Sequence, residues 1–153
     1  MNWNQLKPLV VAAVAAGILT TGVSCGAKRT GPSAVDSNAP TEFTSTDSGL
    51  LYRVLRSSSG KKPTITDRVH VDYSGWLDDG TVFDSSYESQ EPASFSMSGV
   101  VDGWTEGLQL IGEGGMIELV IPPELGYGEE GNPPNIPPAA TLHFKIELHR
   151  VEA

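Results

Sequence analysis

The chain is expected to fold as one α+β domain, an antiparallel sheet of five or six strands wrapped around a single short helix. Three observations carry that expectation. Strand-like runs with apolar alternation recur from Leu50 to the C-terminus, separated by Gly, Pro and Asp-Gly. One amphipathic stretch, residues 99–112, interrupts them: Trp104, Leu108 and Ile111 recur at i, i+4 and i+7 and share a helical face. That stretch also contains Gly103 and Gly107 and is too short to be stable alone, so the sheet must hold it. Burying Trp104 removes about 150–250 Å² from water, an upper estimate of roughly 4–6 kcal/mol.

In order, residues 50–56 (LLYRVLR) form a strand that ends at Ser57-Ser58-Ser59-Gly60. Residues 68–77 (RVHVDYSGWL) alternate, with Val69, Val71 and Tyr73 on one face and His70, Asp72 and Ser74 on the other. Asp78-Asp79-Gly80-Thr81 turns the chain, because Asp-Gly tolerates positive φ, and residues 82–86 return. Residues 94–97 lead into the helix, with Asp102 as its N-cap and Gly112 as its stop. Residues 116–121 form a strand stopped by Pro122-Pro123, and residues 124–138 form a long Gly/Pro loop. Residues 141–151 are the clearest strand, with Leu142, Phe144, Ile146 and Leu148 inward and His143, Lys145, Glu147 and His149 outward.

The sequence divides into three parts. Residues 1–25 carry Lys7, an apolar run and then small residues up to Cys25, the layout of a bacterial export signal. Gly22-Val23-Ser24-Cys25 resembles a lipobox, which implies Cys25 as a lipidated mature N-terminus and membrane contact through acyl chains. An ordinary secretory signal with an incidental Cys is the alternative. Residues 26–48 are rich in Ser, Thr, Gly, Pro and Ala and are expected to be a flexible linker. No helical period marks a dimerisation arm there, so a monomer is expected. Residues 49–153 are the folded domain.

A formal charge of −9 without a basic cluster argues against nucleic acid as a partner. The single Cys excludes an internal disulfide and a Cys-rich metal site. Residues 126–131 spell GxGxxG, but Pro133 and Pro134 forbid the helix that a dinucleotide fingerprint must open. Three scattered His on outward strand positions do not make a metal site, and no cofactor is implied. What remains is an apolar set with a few polar tips: Tyr73, Phe83, Asp84, Phe95, Val100, Val101, Trp104, Tyr127, Ile136 and Phe144. Any one of these aromatics could be plain core. Several sit at strand ends or beside turns, and together they have the composition of a small-ligand pocket.

Residues 69–75 (VHVDYSG) with 80–86 (GTVFDSS), residues 100–108 (VVDGWTEGL), residues 121–128 (IPPELGYG) and residues 136–144 (IPPAATLHF) resemble the signature segments of FKBP-type peptidyl-prolyl isomerases, in family order. The resemblance implies a sheet around the short helix and isomerase activity on proline-containing chains without cofactor or metal. It also implies macrolides as possible inhibitors. It assigns Tyr73, Asp84 and Tyr127 to catalysis, and Phe83, Phe95, Val100, Val101, Trp104, Ile136 and Phe144 to substrate binding. Ala93 stands where the family often has an aromatic, which implies a more open pocket wall. With the export signal, these residues imply an isomerase that assists folding in the cell envelope or periplasm. A non-catalytic peptide-binding chaperone module using the same groove is the rival reading.

Overall fold

The computed structural model describes residues 30–153. The export-signal stretch and Cys25 lie outside the described residues. Among those described, no helix is long and apolar enough to cross a membrane.

Seven strands form one antiparallel sheet: β1 (Thr44–Ser45), β2 (Leu51–Arg56), β3 (Arg68–Leu77), β4 (Val82–Ser85), β5 (Ala93–Ser96), β6 (Met116–Ile121) and β7 (Leu142–Glu152). Their order is β1-β2-β6-β7-β3-β4, with β5 also paired to β3. Two helices interrupt them, α1 (Ser86–Ser89) and α2 (Asp102–Leu108). The alternation in β3 and β7 does what it predicts. Val69, Val71, Leu142, Ile146 and Leu148 are fully buried, Tyr73 and Phe144 nearly so, and all join one core with Trp104 and Leu108 of α2.

The helix is shorter than the amphipathic pattern suggested. A 3₁₀ turn, Met97–Gly99, precedes it, and α2 begins at Asp102. The N-cap is Val101 rather than Asp102, with no side-chain cap; Asp102 instead lies in the first turn, where its charge favours the positive helix end. The chain leaves the helix at Gln109, before Gly112. Thr105 Oγ1 donates to Met97 O at 3.0 Å, tying helix to turn. Gly103 and Gly107, which weaken the helix locally, face β6. A Cβ on Gly103 would sit 2.7–2.8 Å from Ile121 side-chain atoms, and one on Gly107 2.7 Å from Leu119. Both glycines are therefore the condition for close approach of helix to sheet.

β4 and β5 share one edge of β3. β4 pairs as far as Ser74↔Ser85, and β5 begins at Val71↔Ala93. Between them the chain makes α1, which the sequence reading missed. Tyr73 lies between the two registers, and its N–H donates to Ser86 Oγ at 2.9 Å. Ser86 Oγ–H in turn donates to Asp72 Oδ1 at 2.9 Å.

The segment expected to be a flexible linker is docked from Ser33 onward, and it supplies the seventh strand, β1. Ser33 donates from N and Oγ to Glu147 Oε1 at 2.6 and 2.5 Å. Asp36 N donates to Leu55 O, and Ser57 N to Asp36 Oδ2, each at 2.8 Å. Arg53 donates to Thr41 O at 2.8 Å and lies 4.8 Å from the centre of the Phe43 ring. This docking also makes Glu147 a buried residue rather than an outward, solvated one. The contacts are almost all polar, so apolar periodicity carried no sign of them. Ser33→Ala is expected to cost about 1–2 kcal/mol, because a bond to a buried carboxylate is lost. Denaturant unfolding measures this, and an unchanged midpoint would show that the segment contributes nothing.

The outward His are each paired with a carboxylate rather than merely solvated: His70 with Glu152, His143 with Asp78 and His149 with Asp72.

Candidate functional site: an apolar hollow over Trp104

The helix start, the strand ends and the long loop meet around a cavity of about 330 Å³. Its lining is Tyr73, Phe83, Asp84, Phe95, Gly99, Val100, Val101, Trp104, Tyr127 and Phe144. Nine of the ten pocket residues named from the sequence are thus brought together, and Gly99 is added. Ile136 is not among the lining. Its side chain is buried in the core, and its backbone exchanges two hydrogen bonds with Asn132. Ala93 also stays off the lining: it is half-buried in β5 and packs against the core.

The floor is the Trp104 indole. Tyr73, Phe95 and Phe144 meet it edge-on, at centroid distances of 5.2, 5.4 and 5.1 Å and interplanar angles of 82°, 84° and 86°. Phe83 meets Phe144 edge-on at 5.4 Å. Such arrangements suit aromatic quadrupoles and fix each ring through its neighbours. Trp104 is 4 % exposed and its Nε1 has no hydrogen-bond partner, so the residue serves through its ring. Gly75 makes the wall possible. A Cβ there would lie 2.6 Å from the Phe144 ring and 2.7 Å from the Phe83 ring. Alternation in β3 places Gly75 on the Tyr73 face, but only the structure shows which rings need the space.

The polar groups are few and lie on the rim. Tyr73 Oη donates to Asp84 Oδ2 at 2.5 Å. Burial, and then the bond to Asp84, push the Tyr73 phenol far above its ordinary range, so it remains a donor throughout neutral pH. Tyr127 is 41 % exposed at the mouth. Its loop is pinned by Gly128 N to Pro123 O at 2.8 Å and by Ala139 N to Gly128 O at 3.1 Å. Val101 O is occupied by the N–H groups of Trp104 and Thr105 at the helix start. Behind the pocket, Ser86 and Asp72 hold the Tyr73 backbone as described above. No motif announces either residue in that role.

An apolar aromatic hollow with a phenol–carboxylate pair on its rim has the composition of a pocket for a small ligand. The chain belongs to the FKBP-type peptidyl-prolyl cis-trans isomerase family, whose model matches residues 59–149. It is 50% identical over 115 residues to the FKBP-type 22 kDa peptidyl-prolyl cis-trans isomerase of Escherichia coli K12, covering 74% of this chain and 56% of that one. It is 45% identical over 104 residues to the peptidyl-prolyl cis-trans isomerase Mip of Coxiella burnetii, covering 68% and 45%. Among solved structures, FkpA from Escherichia coli superposes with a TM-score of 0.71 at 48% identity, covering 74% of this chain and 53% of that one. A peptidyl-prolyl isomerase from Pseudomonas syringae gives 0.69 at 37% identity, covering 74% and 84%. The chain thus spans about half the length of the curated relatives it matches.

Proposed function

We propose that this protein is a peptidyl-prolyl cis-trans isomerase acting on proline-containing chains, exported to the cell envelope and held there through Cys25. The observation that carries the proposal is the aromatic hollow over Trp104, sized for a small ring and bordered by Tyr73 and Asp84.

Rotation about an X–Pro bond faces a barrier of roughly 18–20 kcal/mol, because resonance keeps the amide planar. No proton transfer or nucleophile is needed. The planar amide is the more polar form, so water stabilises it more than the twisted form. A prolyl ring seated on Trp104, between Tyr73, Phe83, Val101 and Phe144, loses that water, and the twisted form loses less. In the twisted form nitrogen no longer feeds the carbonyl carbon, which becomes more positive. The Asp84 carboxylate beside it then interacts more favourably with the twisted than with the planar state. The N–H of Val101 and the hydroxyl of Tyr127 hold substrate carbonyls and orient the bond. An acceleration of about four decades needs only ~5–6 kcal/mol, within reach of desolvation and a few hydrogen bonds.

A protease-coupled assay on an X–Pro peptide tests this directly. Micromolar protein is expected to accelerate isomerisation, and a macrolide that fills the hollow to inhibit it. Absence of acceleration overturns the activity, and retained peptide binding would then identify a non-catalytic chaperone module. Mass spectrometry of the mature N-terminus tests Cys25: an unmodified mature chain removes the anchor from the proposal.

A further inference from the structure

The hollow lies in a stretch of one-sided charge. Between Arg68 and Lys145 the sequence holds no Lys or Arg, and that stretch supplies every residue of the lining. The same stretch places carboxylates at exposed positions around the mouth. Asp84 stands on the rim itself, and Asp102 adjoins Val101 at the start of α2. Glu124 precedes Tyr127 in the 3₁₀ turn Pro123–Leu125, and Glu129 and Glu130 follow it. Among the described residues, none of these five carboxylates forms an ion pair. The Lys and Arg pairs lie along β2 and β7 and before β3: Arg53 with Glu118, Arg56 with Glu147, Lys61 with Asp67 and Arg150 with Glu152. The one polar partner of Asp84 is the Tyr73 phenol, which stays protonated and so orients the carboxylate without cancelling its charge. A cleft with apolar walls and charge of a single sign focuses its field on what enters.

We propose that the hollow selects prolines set in basic segments, X–Pro bonds with Lys or Arg a few positions away on either side. This rests on the isomerase reading above and adds the class of chain that the site takes. The cavity seats the prolyl ring, and the chain on either side of it passes over the rim. A Lys or Arg there meets Asp102 on the helix side, or Glu124, Glu129 and Glu130 on the loop side. These carboxylates are exposed, so each pairing contributes only about 1.5- to 5-fold in affinity at low salt, and two together reach about 10-fold. An acidic segment meets like charge on both sides and is turned away.

Equilibrium binding tests the selection without reference to turnover. Three proline peptides of equal length carry Lys, Gln or Glu at the positions flanking X–Pro, and each is titrated calorimetrically into the full chain. At low ionic strength the Lys peptide is expected to bind about 10-fold more tightly than the Gln peptide, and the Glu peptide more weakly than either. In about 0.5 M salt the Lys preference should shrink to about 2-fold or less. Glu129→Lys combined with Glu130→Lys should cut the Lys preference by about 3-fold or more while the Gln peptide binds as before. The same order is expected in kcat/KM. Equal affinity for the Lys and Glu peptides at low salt overturns the proposal, as does a Lys preference that the double reversal leaves unchanged. The two readings fail separately. Acceleration without charge preference removes the selection alone, and a Lys preference without acceleration removes the isomerase activity alone. Saturable binding of none of the three peptides overturns both.

Discussion

Asp84→Ala is expected to lower kcat/KM on an X–Pro peptide by about 10- to 100-fold while the domain stays folded, since a charge-assisted hydrogen bond is worth roughly 1.5–3 kcal/mol. Asp84 lies at an exposed position of β4, and the chain around it is held by pairing with β3, so its removal leaves the core intact. Two effects act together. The developing positive character of the twisted carbonyl carbon loses its carboxylate partner. The buried Tyr73 phenol loses its acceptor and can turn within the ring cluster. The two separate in Tyr73→Phe, which keeps the ring and the Asp84 charge but removes the hydroxyl. If orientation dominates, Tyr73→Phe falls nearly as far as Asp84→Ala; if the carboxylate acts by itself, Tyr73→Phe retains most of the rate. Circular dichroism establishes that each variant is folded. Full activity in Asp84→Ala would sink the assignment of this rim as the reacting edge.

The same pair shows what a sequence can reveal about such a site. Tyr73 stands out as a polar tip on the apolar face of a strand with a clear period of two, whereas Asp84 is marked by the family resemblance of residues 80–86. Phe144 is placed by the alternation of residues 141–151, and Trp104 by the helical spacing it shares with Leu108 and Ile111. The contacts that hold them belong to a different class. Gly75 faces two rings that come from other strands, and its role depends on how those strands pair. Ser86 satisfies the Tyr73 N–H only because β4 and β5 leave a gap on one edge of β3, and nothing local to Ser86 encodes that gap. Asp102 looked like the N-cap on composition, yet the cap falls one residue earlier, at Val101, and Asp102 is the first helical residue. Ile136 has pocket chemistry and family order in its favour, but the loop that carries it turns its side chain into the core.

The N-terminal segment is the largest departure, and its cause is general. A stretch with almost no large apolar residues has little burial to offset its ordering entropy, so composition argues for a tether. Residues 33–45 are held instead by side chains that β2 and β7 present to them: Arg53, Arg56 and Glu147. Glu147 reads as an outward position when its strand is considered alone. Charge on a sheet face can therefore mark a docking strip for the protein's own chain, visible only when both partners are in place.

Gly107→Ala is expected to destabilise the domain by about 1–2 kcal/mol, although Ala is the better helix former by about 1 kcal/mol. The sign is decided by packing. The added methyl would lie 2.7 Å from both Leu119 methyls, and Leu119 is fully buried. Only a shift of α2 away from β6, or an off-rotamer Leu119, can relieve the clash. An outward shift of α2 moves Trp104, the floor of the hollow, three residues away on the same helix. Isomerase activity should therefore fall along with the urea midpoint, more than in an equally destabilised variant remote from α2. Gly103→Ala, against Ile121, should behave alike. Pairing Gly107→Ala with Leu119→Val makes room for the methyl, so the double variant is expected to lose less than the sum of the two single losses. A raised midpoint in Gly107→Ala would mean that helix propensity, and not contact with β6, limits this element.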